Sequence, residues 1–177
     1  MNRVKIFHLN DFSTAGIQAI AAEAGTDYTL LYTRPTDFRF VEFGLERMVQ
    51  VADNTGAVLT YADHFNGEEP CPVTEYQLGS VRDDFDFGGL LLIRTAAMKE
   101  AAAEMDACYR YAGLYDLRLR LSRKGSIVHV GEFLYYEIDT DDRASGEKQF
   151  DYVNPRNREV QIEMEAACTA HLKAIGA

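Results

Sequence analysis

The chain has 177 residues, of which 47% are hydrophobic and 26% are charged, a balance typical of one globular domain with a sizeable core. Its formal net charge of −10 argues against nucleic acid or an anionic membrane as the main partner, because both repel an acidic surface. No apolar run approaches the roughly 18 residues that a bilayer span needs. The three cysteines have no metal-ligand spacing, so we expect reduced thiols and a cytoplasmic location. The length of the chain predicts a single domain over residues 1–177.

The first 65 residues predict strands that alternate with helices. The runs VKIFHL, YTLLYT and AVLTYADHF are typical of strands, and the last two are too uniformly apolar for a sheet with a solvated face. Residues 13–25 predict a helix capped by Ser13 or Thr14, and residues 40–56 predict an amphipathic helix. This alternation predicts an α/β domain with parallel crossovers.

The second half of the chain begins with a loop at residues 66–87, which is long enough to indicate a functional role. The run GGLLLIRT predicts a strand, residues 96–108 and 114–125 predict helices, and SIVHVGEFLYYEI predicts a further strand. Asn154 as N-cap, Pro155 at the first helical position and Gly176 at the end predict a last helix of about 21 residues. The whole order predicts a three-layer α/β/α fold with a mostly parallel sheet.

Four segments in this order form a pattern that covers most of the chain. They are the Ala-rich helix followed by YTLLYT, the Gly88–Gly89 pair ahead of LLLIR, the helix GLYDLRLRL, and the strand that contains FLYY. The pattern resembles family 2 glycosyltransferases of the glycosyltransferase A fold. The resemblance implies a hexosyltransferase of polysaccharide biosynthesis, which transfers a sugar from a nucleotide sugar to a hydroxyl of a glycan or lipid-linked acceptor. It also implies Mn²⁺ or Mg²⁺ as the cofactor, and acceptor binding at Gly88, Gly89 and Asp116.

The chain departs from the family's pattern at three places. The family's metal-binding aspartates follow the strand directly, whereas residues 33–36 here are Thr-Arg-Pro-Thr and the first acid is Asp37. Gly113 and Leu114 replace the acidic pair that holds the family's catalytic base. No nucleotide-binding strands precede VKIFHL, so we expect a shortened family member or part of a longer chain. The competing hypothesis is a binding or scaffold module that kept the fold and lost the metal and base positions.

The acidic stretch RDDFDFGG lies where the resemblance implies acceptor binding. Crowded negative charge costs folding energy unless something offsets it. In the functional interpretation, Asp84 or Asp86 deprotonates an acceptor hydroxyl, and the carboxylates, including Asp83, bind sugar hydroxyls or a cation. A carboxylate suits these tasks because it accepts hydrogen bonds and because crowding raises its pKa. The alternative is a solvated loop paired with Arg82.

Two phenylalanines alternate with these aspartates. Phe85 or Phe87 is placed to stack on a sugar face while the other packs inward. Asp63 and His64 end a predicted strand, where open α/β sheets bind ligands. Asp63 is the third catalytic candidate, whereas His64 is interpreted as a surface residue.

The remaining candidates are weighed against structural roles. Asp37 follows the predicted metal strand at the wrong offset, and it is the one candidate metal ligand. His129 and His171 are interpreted as structural residues of the core and of the last helix. Arg143 and Lys148 are candidate diphosphate ligands, because arginine forks fit phosphate oxygens and a helix begins nearby. The alternative is ion pairing of this basic set with the acids around it, namely Asp139, Asp141, Asp142 and Glu147.

The strand VKIFHL also predicts self-association. If no earlier strand covers it, its apolar edge presents unpaired backbone groups, and Arg3 and Lys5 offer little protection. We expect a homodimer, with the last helix folded over the gap as the alternative cover.

Overall fold

The computed structural model describes residues 3–138 and 155–177, without the side chains of residues 155–157. The strands are β1 Val4–His8, β2 Tyr28–Tyr32, β3 Phe38–Phe40, β4 Leu59–Asn66, β5 Glu69–Cys71, β6 Leu90–Arg94 and β7 Ile127–Glu137. The helices are α1 Thr14–Glu23, α2 Gly44–Thr55, α3 Thr95–Ala103, α4 Gly113–Lys124 and α5 Pro155–Ile175. The α/β class predicted from the sequence is confirmed.

The strands of the described residues form one mixed sheet. Its order is β1-β2-β6-β4-β7-β3, and β5 pairs with β4 outside this path. Strands β1, β2, β4 and β7 run in one direction, whereas β3, β5 and β6 run in the other. Two of the six pairings are parallel and four are antiparallel, so a mostly parallel sheet is not confirmed.

Helices cover both faces of the sheet. On one face, α1, α3 and α4 pack against the strands through a core that includes Ile17, Met98 and Leu117. On the other face, α2 supplies Met48, Val49 and Ala52 to a second core. Strand β2 is buried along its whole length, as expected from YTLLYT, because its side chains alternate between these two cores.

Two predicted helices begin or end elsewhere. Phe40, predicted as the first residue of the second helix, is the last residue of β3 instead, because it pairs with Tyr135 of β7. Helix α2 begins only at Gly44, after Phe43 adopts a positive φ of 60°. Helix α3 ends at Ala103, short of the predicted residue 108. The Ser13 cap of α1 is confirmed, since its hydroxyl accepts a hydrogen bond from Gly16 N.

Helix α5 packs on α4 outside the three layers. Ala167 and His171 are buried in this contact, whereas Ile175 at the end of the helix is 50% exposed. Glu163 of α5 accepts hydrogen bonds from the backbone N–H groups of residues 110, 111 and 112 at 3.0, 2.6 and 3.1 Å. The residue before α4 is Ala112, which has no capping side chain, and these hydrogen bonds hold the turn that leads into α4 against α5. Within the described ranges, no helix is both long and apolar enough to cross a membrane.

A substitution at Gly113 tests the packing of α4 against the start of α1. A Cβ atom at this position would overlap the backbone of residues 12–14, so we expect Gly113→Ala to lower the free energy of unfolding by about 1–3 kcal/mol. Gly25→Ala is the matched control, because a Cβ there meets nothing within 4 Å. Urea denaturation of the three proteins measures the difference. Equal stability of the two variants would contradict the close contact.

Candidate functional site

The direction of β6 brings the acidic loop to the end of the sheet where β2, β4 and β7 have their carboxyl ends. Because β6 is antiparallel to β2, its first residue, Leu90, pairs with Tyr32 at the end of β2. Thr33 N donates to Gly89 O at 2.9 Å, which fixes the chain on both sides of this junction. Strand β7 is parallel to β4 and ends at the same edge with Glu137. The loop 82–89 and the carboxyl ends of three strands therefore meet at this end of the sheet.

The Gly88–Gly89 pair is held by side chains of β7. Gly89 N donates to Glu137 Oε1 at 2.6 Å and lies 3.0 Å from the Tyr135 hydroxyl oxygen. Gly88 has a φ of 71°, and a Cβ on it would overlap the Tyr135 hydroxyl. A Cβ on Gly89 would overlap Glu137 Oε1. Both positions require glycine, because the backbone approaches these polar groups too closely for a side chain.

A cluster of charged and polar groups surrounds Glu137. Its Oε2 atom lies 3.6 Å from Arg34 Nε and 3.7 Å from His64 Nε2. The His64 ring stacks on Tyr135 with the ring centroids 5.2 Å apart. Burial raises the pKa of Tyr135, and the charge of Glu137 raises it further, so the phenol stays protonated. His64 Nδ1 is buried without a hydrogen-bond partner in the described part of the chain.

His64 differs from the sequence interpretation. It was interpreted as a surface residue, but only 6% of its surface is exposed. The last strand covers it, because β7 runs beside the whole length of β4 and pairs Tyr135 with His64.

The three aspartates of the loop line a concavity of about 410 Å³, together with Thr33, Arg34 and Leu114. Arg82 donates to both carboxylate oxygens of Asp84, at 2.9 and 2.8 Å. This ion pair lowers the pKa of Asp84, so the raised pKa expected of a crowded carboxylate is wrong for this residue. Asp86 uses a single oxygen, Oδ1, to accept from Gly88 N at 2.8 Å and to face Arg34 Nη2 at 3.6 Å.

Phe85 and Phe87 extend the concavity into the protein. Phe87 is buried, Phe85 is half-buried, and their ring centroids are 4.5 Å apart. Both rings also contact Tyr61 and Tyr76. Phe85 is therefore the more accessible of the two for stacking on a ligand.

Asp63 lies on β4, and its carboxylate is engaged in hydrogen bonds with other groups of the protein. Its Oδ1 atom accepts from Val73 N at 2.9 Å and lies 2.7 Å from His129 Nε2. The residue is 6% exposed and sits at an irregularity of the β4–β7 pairing. This contact supports the structural interpretation of His129, and it leaves Asp63 in a position to orient groups rather than to meet a substrate in the open concavity.

The other predicted site residues lie apart from this cluster or outside the described residues. Asp116 is buried on α4 and pairs with Arg120 at 3.0 Å. Asp37 is exposed just before β3, and its backbone oxygen accepts a hydrogen bond from the Tyr32 hydroxyl at 3.2 Å. Arg143 and Lys148 fall outside the described residues, so their assignment as diphosphate ligands stays a prediction.

Sequence reasoning missed Glu137 and Tyr135 and treated Arg34 only as a departure from a family pattern. A signal for Glu137 was present, because it is an acid at the end of a predicted strand. The same argument that selected Asp63 therefore applies to it. Arg34 had no such signal, since its contact with Glu137 joins residues 103 positions apart in the chain.

No group of three or more His, Cys, Asp or Glu side chains within residues 3–138 and 158–177 is arranged to hold a metal ion. Mn²⁺ or Mg²⁺ binding, with Asp37 as a ligand, stays a prediction. No family model matches the sequence, and no curated protein matches it at significant similarity.

Glu137 is predicted to stabilise the edge on which the loop is mounted. Glu137→Ala removes an acceptor from the buried Gly89 N–H, and we expect a loss of about 1–3 kcal/mol in the free energy of unfolding. Glu132→Ala on the same strand is the control, because Glu132 makes an exposed ion pair with Arg47 worth about 1 kcal/mol or less. Urea denaturation measures both, and a Glu137→Ala protein as stable as the control would show that Gly89 does not depend on this carboxylate.

Proposed function

We propose that the chain is glycosyltransferase-like and transfers a sugar from a nucleotide sugar to a hydroxyl of a glycan or lipid-linked acceptor. The observation that supports the proposal is the concavity at the carboxyl ends of the strands, where three carboxylates, an arginine and a half-buried phenylalanine meet. Carboxylates accept hydrogen bonds from sugar hydroxyls, and an aromatic face packs against the C–H groups of a sugar ring. The glycosyltransferase A-type fold suggested by the sequence pattern is part of the same proposal.

Asp86 is the best candidate for the base in this proposal. Asp84 has both oxygens on Arg82 and a lowered pKa, which makes it a weak base. Asp86 directs Oδ1 towards Gly88 and Arg34, and no described group lies within hydrogen-bond distance of Oδ2. Oδ2 is therefore available to take the proton from an acceptor hydroxyl as its oxygen attacks the donor sugar.

Arg34 is assigned to the leaving group. It follows β2, where the resemblance implies a metal site, and its guanidinium lies at the mouth of the concavity. A guanidinium offsets the charge that develops on a leaving diphosphate, as a bound cation does. Asp63 orients the neighbouring elements from its buried position, and Asp83 and Phe85 contact the acceptor.

A binding module on the same fold is the second candidate. The contact between Arg34 and Asp86 supports this candidate, because it partly neutralises the carboxylate that would act as the base. In this alternative the concavity recognises a glycan without transferring a sugar.

A donor-hydrolysis assay separates the two candidates. We expect the purified chain to release nucleoside diphosphate from one member of a panel of uridine and guanosine diphosphate sugars with Mn²⁺ present. Asp86→Asn should slow this release at least tenfold, since a general base contributes about 100- to 10,000-fold. Asp106→Asn, on a side chain that is 93% exposed and does not line the concavity, should not slow it.

Glycan binding decides the outcome if no donor is hydrolysed. Binding to a glycan array that Asp86→Asn weakens would support the module instead of the transferase. Neither hydrolysis nor glycan binding would overturn both candidates. We expect weak affinity for uridine or guanosine diphosphate alone, because Thr-Arg-Pro-Thr stands where metal-binding aspartates would follow β2.

A homodimer is also proposed, on the basis of β1, the strand at one side of the sheet. Strand β1 is at one end of the sheet order and pairs with β2 alone among the described strands. Ile6 in its centre is 43% exposed. An exposed strand edge of this kind pairs with another chain unless it is covered, and two-fold pairing is the commonest solution.

Light scattering after size exclusion tests the dimer. We expect a mass of about twice 19.9 kDa at micromolar concentration, and 19.9 kDa for Ile6→Lys, because a charge protects a strand edge. Ile162→Lys, at an isoleucine of α5 that is 56% exposed, is the control and should leave the dimer intact. A monomeric mass for the unmodified chain would reject the proposal.

A further inference from the structure

A second cavity lies directly behind the acidic loop, between β6, α4 and α5. Its volume is about 230 Å³, and its wall is mainly apolar and aromatic, with Phe85, Phe87, Leu114 and Met164 among the contributors. It lies next to the concavity described above, because both spaces are lined by Asp83, Phe85, Phe87, Leu91 and Leu114.

Arg118 of α4 lines this cavity and is 6% exposed. Its Nη2 atom donates to Arg82 O at 2.6 Å, and its guanidinium lies over the rings of Tyr115 and Phe87, at 4.9 and 5.5 Å from their centroids. Its Nη1 atom is buried without a hydrogen-bond partner in the described part of the chain. No described carboxylate lies within ion-pair distance of it.

This environment is costly for a guanidinium. Burial lowers the pKa of Arg118, which means that the surroundings disfavour its charged form. A buried charge in no ion pair and a buried N–H group without an acceptor each cost free energy, and a bound anion would recover more of it than the Asp83 carboxylate offsets from a distance. The hydrogen bond from Arg118 to Arg82 O holds the loop with one nitrogen only. A neutral donor could make the same hydrogen bond, so this contact does not explain why the residue is a cation.

We propose that this cavity binds a small organic monocarboxylate, whose apolar body lies against the phenylalanines and whose carboxylate hydrogen-bonds to Arg118. A carboxylate fits because its oxygens can accept from the unpartnered Nη1 group and because its single negative charge would lie against the buried guanidinium. A phosphate dianion fits less well, since Asp83 at the cavity adds a further negative charge. The volume lies below that of drug-sized sites, which limits the ligand to a single ring or a short chain.

This inference does not rest on the proposed sugar transfer. It depends on the buried charge of Arg118 and on the apolar wall, and neither takes part in the chemistry assigned to Asp86 and Arg34. The site can therefore be present in a transferase, in a binding module or in a protein of another activity.

A matched set of ligands tests the inference on the unmodified protein. Phenylacetate, phenylacetamide and phenyl phosphate share a ring and differ in charge, and their affinities are measured by the chemical-shift changes of backbone amides. We expect phenylacetate to bind at least tenfold more tightly than each of the other two, with shifts at Leu114 and Met164. No saturable binding of phenylacetate, equal binding of the amide, tighter binding of the phosphate, or shifts that avoid the cavity would overturn the inference.

Variants give a second, independent readout. Arg118→Met should weaken phenylacetate at least tenfold and leave phenylacetamide unchanged, and Arg118→Lys should recover part of the affinity. Arg47→Met, on the opposite face of the sheet, is the control and should bind as the unmodified chain does. Asp83→Asn should bind phenylacetate more tightly, because it removes a like charge. Unchanged phenylacetate affinity in a folded Arg118→Met protein contradicts the inference, and if that variant does not fold the ligand comparison decides.

Discussion

Strand β6 runs against both of its neighbours, β2 and β4, and this reversal determines where the polar groups of the domain meet. With β6 parallel to them, its Gly88–Gly89 entry and the acidic loop would lie at the opposite edge of the sheet. The reversal places them beside Arg34, His64 and Glu137, which come from the carboxyl ends of other strands or just beyond. The close contact of Gly89 with Glu137 then fixes the loop at this edge.

Much of this architecture could be predicted from local patterns. YTLLYT predicts a doubly buried strand because large apolar or aromatic side chains fall on both of its faces, and Ser13 predicts a cap because its hydroxyl satisfies a free helix N–H. Strand β3 was missed and its last residue, Phe40, was assigned to a helix, because this strand exists through pairing with residues almost 100 positions later in the chain. The strand directions likewise depend on such distant pairing, which a single sequence does not reveal.

The candidate site divides in the same way. The acidic loop and the glycine pair were identifiable, because charge beside glycine ahead of an apolar strand is uncommon. The exposure of His64 was predicted wrongly, because its polar neighbours in the sequence indicate a surface position and do not reveal that β7 covers it. Arg118 had a signal that was overlooked: it lies four residues after Leu114 and three before Leu121, on the apolar face of the helix. An arginine at such a position is either buried or bends out, and here it is buried.

The three hydrogen bonds that Glu163 accepts from the turn before α4 couple two elements that are distant in the chain. Because the amide groups ahead of α4 find their acceptor on α5, detaching α5 leaves them without a partner and removes Met164 from the wall of the inner cavity. The start of α4 and the docked position of α5 therefore open and close as one cooperative unit. Detaching the N-terminal half of α5 would therefore also open one side of the inner cavity, at a cost that includes three hydrogen bonds to one carboxylate and the apolar contacts of α5 with α4.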